Sequence, residues 1–197
     1  MPTNSNVEKQ FIDEESLLHD SYRLAIQIYE SGFRPDFIVG VWRGGATVGI
    51  YIQECLQYLG VITDHMAIRT SYTGMADYLQ RLESDNAIPV DGTQYLIENM
   101  DHDHSVLIVD DVYSTGRNIA AVINRLKLKT KCNMPRDLRV AAAFYKPACN
   151  QSNRIPDYYL HETDKWLVLP YELTGLSKEE IQQKKSWVTP ILDTLSP

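Results

Sequence analysis

Apolar positions along the chain fall into blocks of two kinds, and the blocks alternate. Leu17, Leu18, Tyr22, Ala25, Ile28 and Tyr29 recur at helical spacing over 14–31, and Gly32 follows as a stop. Residues 36–42 form a short apolar run between Pro35 and the pair Gly44 and Gly45, which predicts a buried strand entering a tight loop. A helix over 46–59, closed by Gly60, and a loosely alternating strand over 61–69 come next. The polar stretch 70–104 predicts a mobile loop followed by a short hairpin. Residues 105–110 are the most continuous apolar run of strand length, and a turn and a helix over about 117–128 follow. Further strands are predicted at 138–145, 157–160 and 166–169, and a surface helix at 177–187. Strands alternating with helices predict an α/β fold with a mainly parallel central sheet flanked by helices. Ligands of such sheets bind beyond the carboxyl ends of the strands. Chemistry is therefore expected just after Val41, Arg69, Val109 and Tyr145.

Composition changes this picture little. The 197 residues are 44% hydrophobic and 23% charged, which is enough for one domain with a sizeable core. A single domain over 1–197 is expected, its core at about 33–150 and a small hood drawn from 1–30 and 151–197. The start of the chain lacks the charged-then-apolar plan of a secretory signal, and no apolar run is long enough to span a bilayer. Cys55, Cys132 and Cys149 are odd in number and widely spaced, as reduced thiols would be. A cytoplasmic protein without a membrane partner is the expectation. The net charge of −7 argues against a nucleic-acid partner, since such affinity rests on cationic contacts. A small anion can still be held by a few local donors. The isolated His19, His65 and His161 carry no assigned role. The alternating 101–104 stretch of Asp and His reads as a solvated loop.

The chemical signal lies in 110–118. Asp110 and Asp111 end the strand, and Ser114, Thr115 and Gly116 turn into a helix that begins with Arg117 and Asn118. Backbone N–H groups at such a turn converge, and the helix dipole favours an anion there. The two carboxylates suit a vicinal diol or Mg²⁺. A ligand with a phosphate at one end and ribose hydroxyls at the other satisfies both halves.

The segment VLIVDDVYSTGRN over 106–118 resembles the phosphoribosyl pyrophosphate (PRPP) motif of type I phosphoribosyltransferases, closest to the purine enzymes for hypoxanthine or xanthine and guanine. The resemblance extends over roughly 36–172. It implies that Ser114, Thr115, Gly116, Arg117 and Asn118 hold the 5-phosphate, and that Asp110 and Asp111 bind the ribose hydroxyls with Mg²⁺ nearby. Arg43 and Gly44 resemble the pyrophosphate loop, and Ser71 and Tyr72 the start of the flexible loop that closes over the reaction centre. Lys146 matches the lysine that donates to the oxygen at purine position 6. Trp166 and Leu167 match the residues that stack on the base and read its edge. Glu172 falls where the family more often has Asp near a second Mg²⁺. One position departs from the pattern: most 6-oxopurine members carry Asp where this chain has Ser114.

The family relation implies transfer of the phosphoribosyl group of PRPP to hypoxanthine, guanine or xanthine, with Asp110, Asp111 and Arg43 as the catalytic set. A homo-oligomer, dimer or tetramer, is the matching expectation. Two alternatives stay open: a PRPP-binding regulator that uses the same pocket, and a transferase for another base such as adenine.

Overall fold

The computed structural model describes residues 8–70 and 88–194. In chain order the elements are β1 (Lys9–Phe11), α1 (Glu14–Glu30), β2 (Phe37–Trp42), α2 (Gly44–Tyr58), β3 (Asp64–Thr70) and β4 (Val90–Asp91). They continue with α3 (Gln94–Asn99), β5 (Ser105–Tyr113), α4 (Arg117–Thr130), β6 (Asp137–Tyr145), β7 (Tyr158–Glu162) and β8 (Trp166–Val168). Two short helices, α5 (Lys178–Lys184) and α6 (Thr189–Asp193), complete the set. The chain divides into two compact units, Leu17–Asp164 and a smaller one made of 1–16 with 165–197.

The larger unit is a six-stranded sheet in the order β4-β3-β2-β5-β6-β7. All pairings are parallel except β3 with β4 at the edge. Strands β2 and β5 are near-continuous apolar runs because they lie at the centre, covered on both faces. Val39, Val106, Ile108 and Val140 are fully buried, and Ile119, Val122 and Leu126 of α4 pack onto the same cluster. The other face receives Leu24 and Ile28 of α1 and Val48 and Ile52 of α2, all fully buried. In the smaller unit, β1 and β8 pair in parallel, Lys9 opposite Trp166 and Phe11 opposite Val168. Ser177 caps α5 through a reciprocal pair of bonds with Glu180.

Three differences from the sequence pattern matter. Strand β5 runs on to Tyr113, so Asp110 and Asp111 lie within the strand, since β6 pairs with it out to Tyr145. The described part of 70–104 holds the edge strand β4 and the short helix α3 in place of a separate hairpin. The rest of that stretch, with the closing loop expected there, lies outside the described residues. Strand β1 was not expected; three residues with one partner strand leave too short a pattern to read.

Candidate functional site

The acidic pair is delivered by β5, a central strand whose Val106, Leu107, Ile108 and Val109 are fully buried. Asp110 keeps 8% of its surface exposed, and Asp111 is half-buried. The Asp111 N–H donates to Asp110 Oδ1 at 3.0 Å. Burial, then repulsion from the Asp111 carboxylate, holds the Asp110 carboxyl well above the usual carboxylate range. Ionising Asp110 in this position without a counter-cation is costly.

Beyond Tyr113 the chain leaves the sheet and turns at Gly116, whose φ of +73° suits glycine. Helix α4 starts at the next residue, and its 14 residues place an aligned set of N–H groups at the turn. Thr115 Oγ1 accepts from the Arg117 N–H at 3.3 Å. Ser114, Thr115, Arg117 and Asn118 are half-buried, so their polar atoms are within reach of a ligand at the sheet edge.

The second loop follows β2. The Trp42–Arg43 peptide is cis, and α2 begins at Gly44. A Cβ on Gly45 would run into the Val109 carbonyl and come 2.8 Å from Asp110 Cα. Gly40 is crowded in the same way by the backbone of Ala46. Glycine at both positions lets the start of α2 settle directly against β2 and the Val109–Asp110 backbone of β5. Arg43, which is exposed, therefore shares one sheet edge with the acids.

Lys146 follows β6, and its N–H donates to the Tyr113 carbonyl at 2.9 Å. That bond continues the β5–β6 ladder and sets the lysine beside the start of the 114–118 turn. Lys146, Arg43, Gly44, Asp110, Asp111 and 114–118 are thus brought to the carboxyl edge of one sheet. Ser71 and Tyr72 lie outside the described residues.

Trp166, Leu167 and Glu172 belong to the smaller unit. Trp166 is 45% exposed and Leu167 is buried. The turn after β8 is tied from both ends: the Leu169 N–H donates to Glu172 Oε2 at 2.9 Å, and the Glu172 N–H donates to the Leu169 carbonyl at 3.0 Å. Buried Lys185 donates to the carbonyls of Leu169 and Pro170, each at 2.7 Å. Glu172 is therefore engaged by its own turn. Sequence reasoning missed Lys185, which stood in a run of surface-helix residues with nothing to mark it. It also missed a polar knot beneath the 114–118 turn, formed by Tyr113, Asn150, Ser152 and the Arg154 carbonyl. A tyrosine closing a strand whose other apolar residues are all aliphatic was the available signal.

No group of three or more metal-capable side chains occurs among the described residues, and no described helix is long and apolar enough to cross a membrane.

A mainly parallel sheet whose central strand carries two carboxylates into a glycine-turned helix start defines an α/β protein with an anion-suited turn beside an acidic pair. The model of the phosphoribosyl transferase domain family matches residues 9–174, and the chain belongs to that family, with its type I fold. It is 32% identical over 123 residues to the bifunctional protein PyrR of Pasteurella multocida; the match spans 61% of this chain and 66% of that protein, a little under two thirds of its length. Among solved structures, the purine phosphoribosyltransferase from Pyrococcus horikoshii is 25% identical with a TM-score of 0.63, covering 86% of this chain and 98% of its own. The Helicobacter pylori xanthine-guanine-hypoxanthine phosphoribosyltransferase shares the fold at 19% identity and a TM-score of 0.61, covering 91% and 99%.

Proposed function

We propose that the chain is a purine phosphoribosyltransferase, moving the phosphoribosyl group of PRPP onto a 6-oxopurine and releasing pyrophosphate. The observation that carries this reading is the union of buried Asp110 and half-buried Asp111 with the glycine-turned start of α4. The likeness to the Pyrococcus purine enzyme supports the base class.

In this reading the N–H groups of 114–118 and the Thr115 hydroxyl grip the 5-phosphate and so fix the reacting carbon in space. Asp110 and Asp111 accept from the ribose hydroxyls. Magnesium fits this donor set, because Mg²⁺ takes one or two carboxylates together with substrate phosphates. Asp110 and Asp111 would hold it, and when bound it supplies positive charge for the departing pyrophosphate. Arg43, with the backbone of Gly44, adds a planar cation for the same oxygens. Lys146 donates to the oxygen at purine position 6, and the family resemblance assigns stacking and edge reading to Trp166 and Leu167. Glu172 holds its own turn through Oε2 and, by the family resemblance, is the residue for a second Mg²⁺.

The experiment is a panel of hypoxanthine, guanine, xanthine, adenine and uracil with PRPP and Mg²⁺, following pyrophosphate release. Turnover with an oxopurine is expected, and no turnover with hypoxanthine, guanine or xanthine overturns the reading, whether or not adenine or uracil reacts.

A second reading, a regulatory role through the same pocket, is favoured by one observation: the PyrR relatives are named bifunctional. A gel shift with nucleic acid, with and without PRPP, tests it. The chain's net charge of −7 predicts no shift at moderate salt.

A further inference from the structure

Gly116 is braced from below by two hydroxyls that belong to no part of the ligand set described above. The ring of Tyr113 is almost fully buried at the end of β5, edge-on to Tyr145, with centroids 5.9 Å apart. Its hydroxyl lies 2.9 Å from Ser152 Oγ and donates to the Arg154 carbonyl at 3.1 Å. Ser152 is fixed in turn: its N–H and its Oγ both bond Asn150 Oδ1 at 2.9 Å. A Cβ on Gly116 would meet both hydroxyls, 2.6 Å from Tyr113 Oη, and would lie 2.9 Å from Ser152 Cβ. A second tie stands next to the first, where the Gln151 N–H donates to the Thr115 carbonyl at 3.0 Å. Nothing of 150–154 is part of the turn, yet it touches the turn at both Thr115 and Gly116.

We infer that Tyr113 and Ser152 are positioning residues for the 5-phosphate, acting through the height at which they hold Gly116. The inference rests on the reading of 114–118 as the phosphate loop. Anion binding at a helix start depends on several N–H groups pointing at one place, and a displacement of a fraction of an ångström spoils that convergence. Backbone N–H groups, unlike the Arg117 side chain of the same loop, cannot re-aim themselves after such a shift. The loop's geometry is set from beneath, by a rigid aromatic lever from β5 and a serine locked by Asn150. Aliphatic residues at 113 and 152 would fill the space without fixing the distance, since a hydrogen bond has a narrow length and direction where an apolar contact does not.

The test uses the full chain and ribose 5-phosphate as the probe, by calorimetry, together with steady-state kinetics. Tyr113→Phe and Ser152→Ala should each weaken ribose 5-phosphate binding and raise KM for PRPP about three- to tenfold, with KM for the base unchanged. Because the two hydroxyls act as one support, the double variant should lose little more than the worse single variant. Melting temperatures confirm that each variant folds. Variants that melt lower but bind ribose 5-phosphate as tightly as the wild type would make the knot merely structural and overturn the inference. A wild type that binds neither ribose 5-phosphate nor inorganic phosphate would instead remove the phosphate-loop reading, and the inference with it.

Discussion

Gly45 rests on the backbone of Asp110: a Cβ on the glycine would come 2.8 Å from Asp110 Cα and strike the Val109 carbonyl. This contact is why the arginine loop and the acidic pair share one edge. Adjacent parallel strands bring Gly40 opposite Val109, and the missing side chain lets α2 start almost on top of β5.

The first prediction follows from that contact. Gly45→Ala must push α2 away from β5, and overpacking of this kind costs about 1–3 kcal/mol. In a domain of this size each kcal/mol lowers Tm by about 2–4 °C. Gly49→Ala is the control, because a Cβ there meets only ordinary contacts beginning at 3.8 Å, and it should be neutral or stabilising. Equal melting temperatures for the two variants would show that the start of α2 is free to shift.

Asp110 should be a residue that costs stability. A carboxyl whose folded pKa is raised favours the fold only while protonated. That contribution is complete below the unfolded value near 3.8 and is lost as pH rises through the folded value. At neutral pH its ionisation therefore works against folding. Asp110→Asn removes the titrating group and should raise the stability of the ligand-free protein by about 0.5–2 kcal/mol at neutral pH, with no gain in acid. The same change should abolish PRPP-dependent turnover. A variant that melts no higher than wild type at neutral pH counts against this account of the pair.

Lys185 carries a pH prediction of the opposite kind. Burial pulls its ammonium below the ordinary lysine range, partly opposed by Glu172. A lysine with a lowered folded pKa opposes folding while charged, and the penalty is relieved as pH rises through the folded value toward 10.5. The neutral amine still donates to the Leu169 and Pro170 carbonyls. Lys185→Met leaves both carbonyls without that donor, and an unsatisfied buried group costs roughly 1–3 kcal/mol. Met should thus be the less stable, and its deficit in Tm should widen from neutral to alkaline pH. A gap that narrows with rising pH would sink the argument.

The sheet was legible because strand periodicity and length agree along β2, β5 and β6, whose residues are buried on both faces. The acids and the turn were legible because an apolar run followed by two carboxylates and then Ser-Thr-Gly combines several rare choices in nine positions. Support from a distance leaves no such trace. Tyr113 meets Ser152 across 39 residues of sequence, and Lys185 reaches Leu169 across 16. A tyrosine among valines or a lysine in a charged run acquires meaning only when the fold brings its partner near. The extent of β5 was misjudged for a related reason: carboxylates seldom continue a buried strand, and here the pairing with β6 overrides that local preference.

Ser114 is where this chain departs from the 6-oxopurine pattern, and it supplies the last prediction. The family's Asp at this position lies near purine N7 and is the usual candidate for general base. A serine hydroxyl can hydrogen-bond N7, but it is too weak an acid–base group to replace a carboxylate at neutral pH. General-base help is typically worth roughly 10²–10⁴-fold, so the loss is large enough to read in kinetics. Ser114 is half-buried and follows directly on the strand end, where Lys146 bonds the Tyr113 carbonyl, so a carboxylate introduced there would share the sheet edge with that lysine. Space is not the obstacle, because the position is not packed shut. Ser114→Asp should therefore raise kcat with at least one of hypoxanthine, guanine and xanthine, and leave adenine no better. Comparing the two proteins across these four bases is the measurement. A uniform loss would mean that the serine hydroxyl already serves the phosphate turn, and that a second negative group next to the 5-phosphate is what the site cannot accept.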